Sequence, residues 1–147
     1  MSPTGRRWCW PCRLLLMISL ELARRLRETG LPWTPSAGDR FVVADRDMDT
    51  DVFVVSDMVV EVRDHPTGQL LAFNGTTEWA LDSIETQEVV WLPDESQLRE
   101  LIGDRFARLE AVPGGFVVVL DVDGQQVRHV DVDAERAYAR ALLALRA

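Results

Sequence analysis

The run Phe116-Val117-Val118-Val119-Leu120 constrains this chain more than any other segment. It is apolar at every position and bounded by Pro113-Gly114-Gly115 on one side and Asp123-Gly124 on the other. A short β-branched run between turn residues is a strand, and one apolar on both faces sits centrally in its sheet. Asp123-Gly124 is a two-residue hairpin signal, so the strand over Val127 to Val132 returns antiparallel. Asp133 then caps a helix whose stripe is Ala134, Ala137, Tyr138, Ala141, Leu142 and Leu145.

The same punctuation organises the chain upstream. Ser19 caps a helix to about Thr29, with Leu22, Ala23 and Leu26 on one face. Gly30 suits the left-handed position after it, Leu31 folds back onto Leu26, and Pro32 forbids continuation. Strand patterns follow at Phe41–Val43, Val52–Val55, Met58–Val62, Leu70–Phe73 and Val89–Leu92. His65-Pro66-Thr67-Gly68 and Asn74-Gly75 are turns, and Thr76 to Ile84 fits neither period. Asp94-Glu95-Ser96-Gln97 is a capping box opening a short helix with Leu98, Leu101 and Ile102 on one face, closed by Gly103. The expected fold is α+β: one domain over residues 17–147, with a mostly antiparallel sheet packed on an N-terminal, a short middle and a C-terminal helix.

Residues 1–16 are set apart by charge. They hold Arg6, Arg7 and Arg13 and no acid, whereas the whole chain has 24 acidic against 16 basic residues and a formal charge of −8. Trp8-Cys9-Trp10-Pro11-Cys12 has redox-motif spacing, but too little chain precedes it to form the strand that such a site stands on. Zinc-finger spacing to His65 or His129 is absent. Arg13 breaks the apolar stretch, and no small-residue cleavage site precedes Glu21, which argues against an export signal. The segment reads as a non-native or disordered leader, with the protein proper starting at Met17.

Composition narrows the chemistry. All 16 basic residues are arginine, so lysine-based Schiff-base and phosphate-loop chemistry is ruled out. An acidic chain is repelled by nucleic-acid phosphates and anionic lipid, so neither nucleic acid nor membrane is expected as a partner. Asp45, Asp47, Asp49 and Asp51 alternate, yet a calcium loop starting at Asp45 would need glycine at Thr50 and glutamate at Ser56. They are weak metal candidates, and a metal-dependent hydrolase built on them is the alternative functional reading. No nucleophile elbow occurs, and His129 lies mid-strand. No catalytic residue and no cofactor is assigned. Trp33 and Trp79, flanked by polar residues, are the interaction candidates, while Trp91 inside an apolar run reads as core.

The segments LELARRLRETGLPWTPSAGDRF, VFVVSDMVVEV, FNGTTEWALDSI and WLPDESQLRELIG resemble a family of small uncharacterised proteins of high-GC bacteria, many labelled pilus assembly proteins. The chain is also similar to small phage and mobile-element proteins. The resemblance covers nearly everything after residue 16 and implies no catalytic residues. Since pilus-assembly motors use a phosphate-loop lysine, it implies an accessory role. The expected function is a cytoplasmic, non-catalytic interaction or accessory protein with a protein partner.

Overall fold

Ser19 opens the first helix as expected: its hydroxyl accepts from the Leu22 amide, and α1 runs Leu20–Glu28. Gly30 follows at φ +79°, a backbone state that glycine reaches without a Cβ penalty. Its N–H bonds back to the Arg27 carbonyl, and Leu31 packs against the core. The computed structural model describes residues 17–43, 51–55, 60–66, 68–73 and 83–147. The leader with Cys9 and Cys12, the carboxylates of Asp45, Asp47 and Asp49, the Asn74-Gly75 turn and Trp79 lie outside those residues.

The order of elements is α1, β1 (Arg40–Val43), β2 (Val52–Val54), β3 (Val60–His65), β4 (Gly68–Phe73), β5 (Ser83–Glu85), β6 (Val89–Leu92), α2 (Glu95–Ile102), β7 (Phe106–Val112), β8 (Gly115–Val122), β9 (Gln125–Asp131) and α3 (Ala134–Arg146). The fold is α+β, with every described strand pair antiparallel. Where one sheet was expected, the described residues form three sheets of three strands, ordered β2-β1-β6, β3-β4-β5 and β7-β8-β9. The reason is connectivity. The Asp123-Gly124 and Pro113-Gly114 turns close a meander that uses up its own neighbours, while β1 takes β6 from far along the chain.

The helices lie between two of these sheets. Leu22, Ala23 and Leu26 of α1, Leu98 and Ile102 of α2, and Ala137, Tyr138, Ala141 and Leu142 of α3 share one core with Val42, Val90 and Leu92 on one side and Val118 and Leu120 on the other. Leu101, expected on the buried face of α2, is 38% exposed, because the helix is held by Leu98 and Ile102 alone. Glu135 fastens the layers together: it accepts from the Ile18 amide (2.9 Å) and from Arg40 (3.1 Å). Burial nonetheless holds its carboxyl above the usual glutamate range, against the pull of Arg40.

β8 is the central strand that its sequence implies, with Val117 to Leu120 all buried. Asp123 (φ 54°) and Gly124 (φ 80°) form the mirror-image turn that matches strand twist. The face of this sheet away from the helices is covered by side chains. Arg108 reaches Glu110 (2.7 Å) and Gln126 (3.2 Å), Arg128 reaches Glu110 (2.8 Å), and their stems lie over Val119, which is 0% exposed. Hydrogen bonds from Arg128 and Arg108 keep the Glu110 carboxyl below its usual range.

Candidate functional site: a tryptophan step between two clefts

The loop from Pro32 to Asp39 is organised by one carboxylate. Asp39, 5% exposed, accepts at Oδ2 from Trp33 Nε1 (2.9 Å) and the Ser36 amide (3.0 Å), and at Oδ1 from Gln97 Nε2 (2.6 Å). Its backbone joins β2, because the Val55 amide donates to the Asp39 carbonyl (2.9 Å). Gln97 is shared between two jobs. Its Oε1 accepts from the Asp94 amide (3.0 Å) in the capping box of α2, leaving Nε2 for Asp39. A glutamate at that position could close the box but would face Asp39 with a second negative charge. Burial alone would raise the Asp94 carboxyl, but hydrogen bonds from Gln97 and Ser96 bring it below its usual range.

So held, the Trp33 indole lies almost parallel to that of Trp91, with ring centroids 6.1 Å apart and planes 8° apart. It also tilts against Phe41, at 6.1 Å and 42°. At such a separation parallel rings are displaced sideways and do not form a sandwich, so part of each face stays open. Trp91 is therefore not the core residue that its apolar run suggested. In β6, Val90 and Leu92 turn to the helices, while Val89 and Trp91 turn to the other face, and Trp91 remains partly exposed. Its Nε1 is buried with no hydrogen-bond partner.

A cleft opens on each side of this aromatic step. On the side of α1, about 370 Å³ is lined by Leu26, Leu31, Val89 and Pro93, with Arg27 and Gln87. On the side of α2, about 440 Å³ is lined by Pro32, Ser36, Gln97, Glu100 and the exposed Leu101. Trp33 and Trp91 line both. Arg27 is held in place, since its Nη1 donates to the Val89 carbonyl (3.1 Å). The cleft beside α1 is mainly apolar with Arg27 at its side, whereas the cleft beside α2 is mixed, with Ser36, Gln97 and Glu100 next to Pro32 and Leu101.

Of the interaction candidates, the structure places Trp33 at this step, while Trp79 lies outside the described residues. Of the metal candidates, only Asp51 is described, and it is exposed. Among the described residues no group of three or more His, Cys, Asp or Glu side chains could hold a metal ion. Trp91, Arg27 and Leu101 were not read as site residues from sequence. The alternation within Val89–Leu92 was the available signal for Trp91, because a strand lays every second residue on the opposite face.

His129 lies on the helix side of β9, opposite Val118, in a surface recess with Arg25, Glu28, Arg140, Leu143 and the C-terminal Ala147. Arg140 is engaged by Asp131 at 2.6 Å. The imidazole Nε2 is buried without a partner, and burial holds its pKa below the ordinary 6.5. The folded state thus disfavours the imidazolium. Its stabilising effect is complete above about 6.5, where the unfolded chain is also neutral, and is lost as pH falls through the lower folded value. Melting curves between pH 7.5 and 5.5 should show this decline, and His129→Gln should flatten it. An unchanged slope in that variant would assign the decline to other groups.

No family model matches this chain, and no curated protein and no solved structure is similar to it. No described helix is long and apolar enough to cross a membrane.

Proposed function

We propose that this domain is a non-catalytic interaction module of the cytoplasm that docks an extended segment of a partner protein across the Trp33–Trp91 step. The observation that carries this reading is the laterally displaced indole pair, open on both sides and backed by a buried carboxylate. Rigid aromatic residues give large contact area at little entropic cost, which is why they anchor interfaces. Pro32, Pro93, Leu31 and Leu101 extend the apolar surface, and an extended segment crossing the step meets Arg27 on one side and Glu100 on the other. That polarity favours a partner segment with an acid at one end and a base at the other. In a pilus or mobile-element setting the role is that of an accessory subunit.

The test is selection of displayed short peptides on the intact protein, followed by titration of an enriched peptide. Arg27→Glu and Leu101→Glu alter exposed rim positions, so both variants should keep their melting temperature within a few degrees. Each should weaken binding at least about tenfold, or about 1.4 kcal/mol. If nothing is enriched, or if both variants bind like the parent, the groove is not a docking site.

A further inference from the structure

Among the described residues, the outer edge of β9 pairs with no other strand. Val122 and Gln125 flank the two-residue turn and form a hydrogen-bonded pair, since a β-turn joins its first carbonyl to its fourth amide. Hydrogen-bonded and non-bonded pairs alternate along an antiparallel ladder. Val127, His129 and Asp131 therefore turn their backbone groups toward β8, while Gln126, Arg128 and Val130 turn theirs outward. Among the described residues no strand pairs with that outward row.

Exposed edges are normally blunted by bulges, prolines or brevity. Two other sheet edges follow that rule: β7 carries a register irregularity between Phe106 and Arg108 and is followed by Pro113, and β2 has only three residues. β9 runs seven residues in unbroken register. It also carries apolar surface where blunting would place charge. Val130 is 58% exposed, and Val132, directly beyond the strand, is 67% exposed, the two highest values among the large hydrophobic residues described. The backbone is again extended at Asp133 (φ −123°, ψ 140°), immediately before α3 begins.

We infer that the chain forms a two-fold dimer by antiparallel pairing of β9 with β9 of a second copy, centred on Val130, making one six-stranded sheet. Symmetry selects this register. Opposite residues in such a pair must lie on the same face, so the axis passes through a residue or its equivalent. An axis at Arg128 opposes two arginines, and one at Asp131 opposes two aspartates. An axis at His129 sets Val130 against Arg128 of the other copy. An axis at Val130 opposes no like charges and covers both exposed valines, laying Val130 on Val130 and Arg128 opposite Val132, so that the outward groups of Arg128 and Val130 are paired in both copies. The Arg128 guanidinium is already held by Glu110, which leaves its apolar stem to face that valine.

Sedimentation equilibrium on the full chain should show a species of twice the chain mass. Val130→Arg, which places two arginines on the axis, should raise the dimer dissociation constant by about a hundredfold or more and leave the circular dichroism unchanged. In a Cys9→Ser, Cys12→Ser background, Val130→Cys should give a dimer reversible by thiol, because paired α-carbons there stand about 5.5 Å apart, within disulfide reach. Val54→Cys on β2 should not. A chain that stays monomeric at every concentration overturns the inference, even if its edge takes up a foreign strand. So does a dimer that survives Val130→Arg.

Discussion

Asp39→Ala should lower the melting temperature by roughly 10 °C and open the tryptophan step. The carboxylate is buried and meets three donors, from Trp33, Ser36 and Gln97. Removing it strands those donors, and each buried unsatisfied group costs about 1–3 kcal/mol. Partial access of water on the loop side reduces the total, so a net loss of about 3 kcal/mol is expected. For a chain of this size that corresponds to the stated shift. The effect should extend beyond stability: without its anchor the Trp33 indole is no longer held against Trp91, and the tryptophan fluorescence should change at temperatures where the protein is still folded. Asp39→Asn tests the mechanism. Its oxygen can still serve Trp33 and Ser36, but its amide meets the Gln97 amide, whose oxygen is committed to the cap of α2. That variant should fall between the parent and alanine. If Asp39→Ala melts within two or three degrees of the parent, the loop is held by something other than this carboxylate.

Tyr138→Ala should cost more, about 4 kcal/mol, in line with aromatic truncations in close-packed cores. Tyr138 is 1% exposed in the middle of α3 and stacks on Phe106 with ring centroids 5.6 Å apart. Arg99 lies over Phe106 at 4.5 Å, so α2, β7 and α3 meet in one column of side chains. Burial, with Glu95 adding to it, holds the phenol above its usual pKa, so the hydroxyl stays neutral throughout the ordinary pH range. Removing the ring leaves a cavity walled by elements that are each fixed elsewhere, which limits collapse. Denaturant titration is the suitable measurement, with Tyr138→Leu expected to recover about half the loss. A cost under about 1.5 kcal/mol for alanine would mean that the helices close up around the site, and the column would then be dispensable.

Local rules made much of the fold legible. Ser19, Asp94 and Asp133 cap the three described α-helices as their sequence contexts imply, and Asp123-Gly124 and the Phe116–Leu120 run define the meander. These features depend on neighbours within a few residues. The pairing of β1 with β6 does not, and nothing in Phe41-Val42-Val43 names Val89-Val90-Trp91 as its partner. The same limit governed the site. Trp33 stood out because polar residues flank it, but its alignment with Trp91 depends on Asp39, and Asp39 depends on Gln97 across the fold. Gln97 was visible as a cap residue. Its second hydrogen bond was hidden, because glutamine and glutamate close a capping box equally well, and the preference for an amide arises only once Asp39 is opposite.

The separation of β1 from β6 along the chain has a consequence for how the molecule assembles. The meander and α3 are contiguous from Phe106 to Arg146, so they come together through short-range contacts that close small loops. The sheet bearing the tryptophan step must instead bring Val43 to Val89, closing a long loop whose entropy is recovered only when the whole ladder zips. The two indoles come from opposite ends of that loop. Their stacking therefore reports closure of that loop, and a partner that grips both rings acts as a clasp on the chain between them.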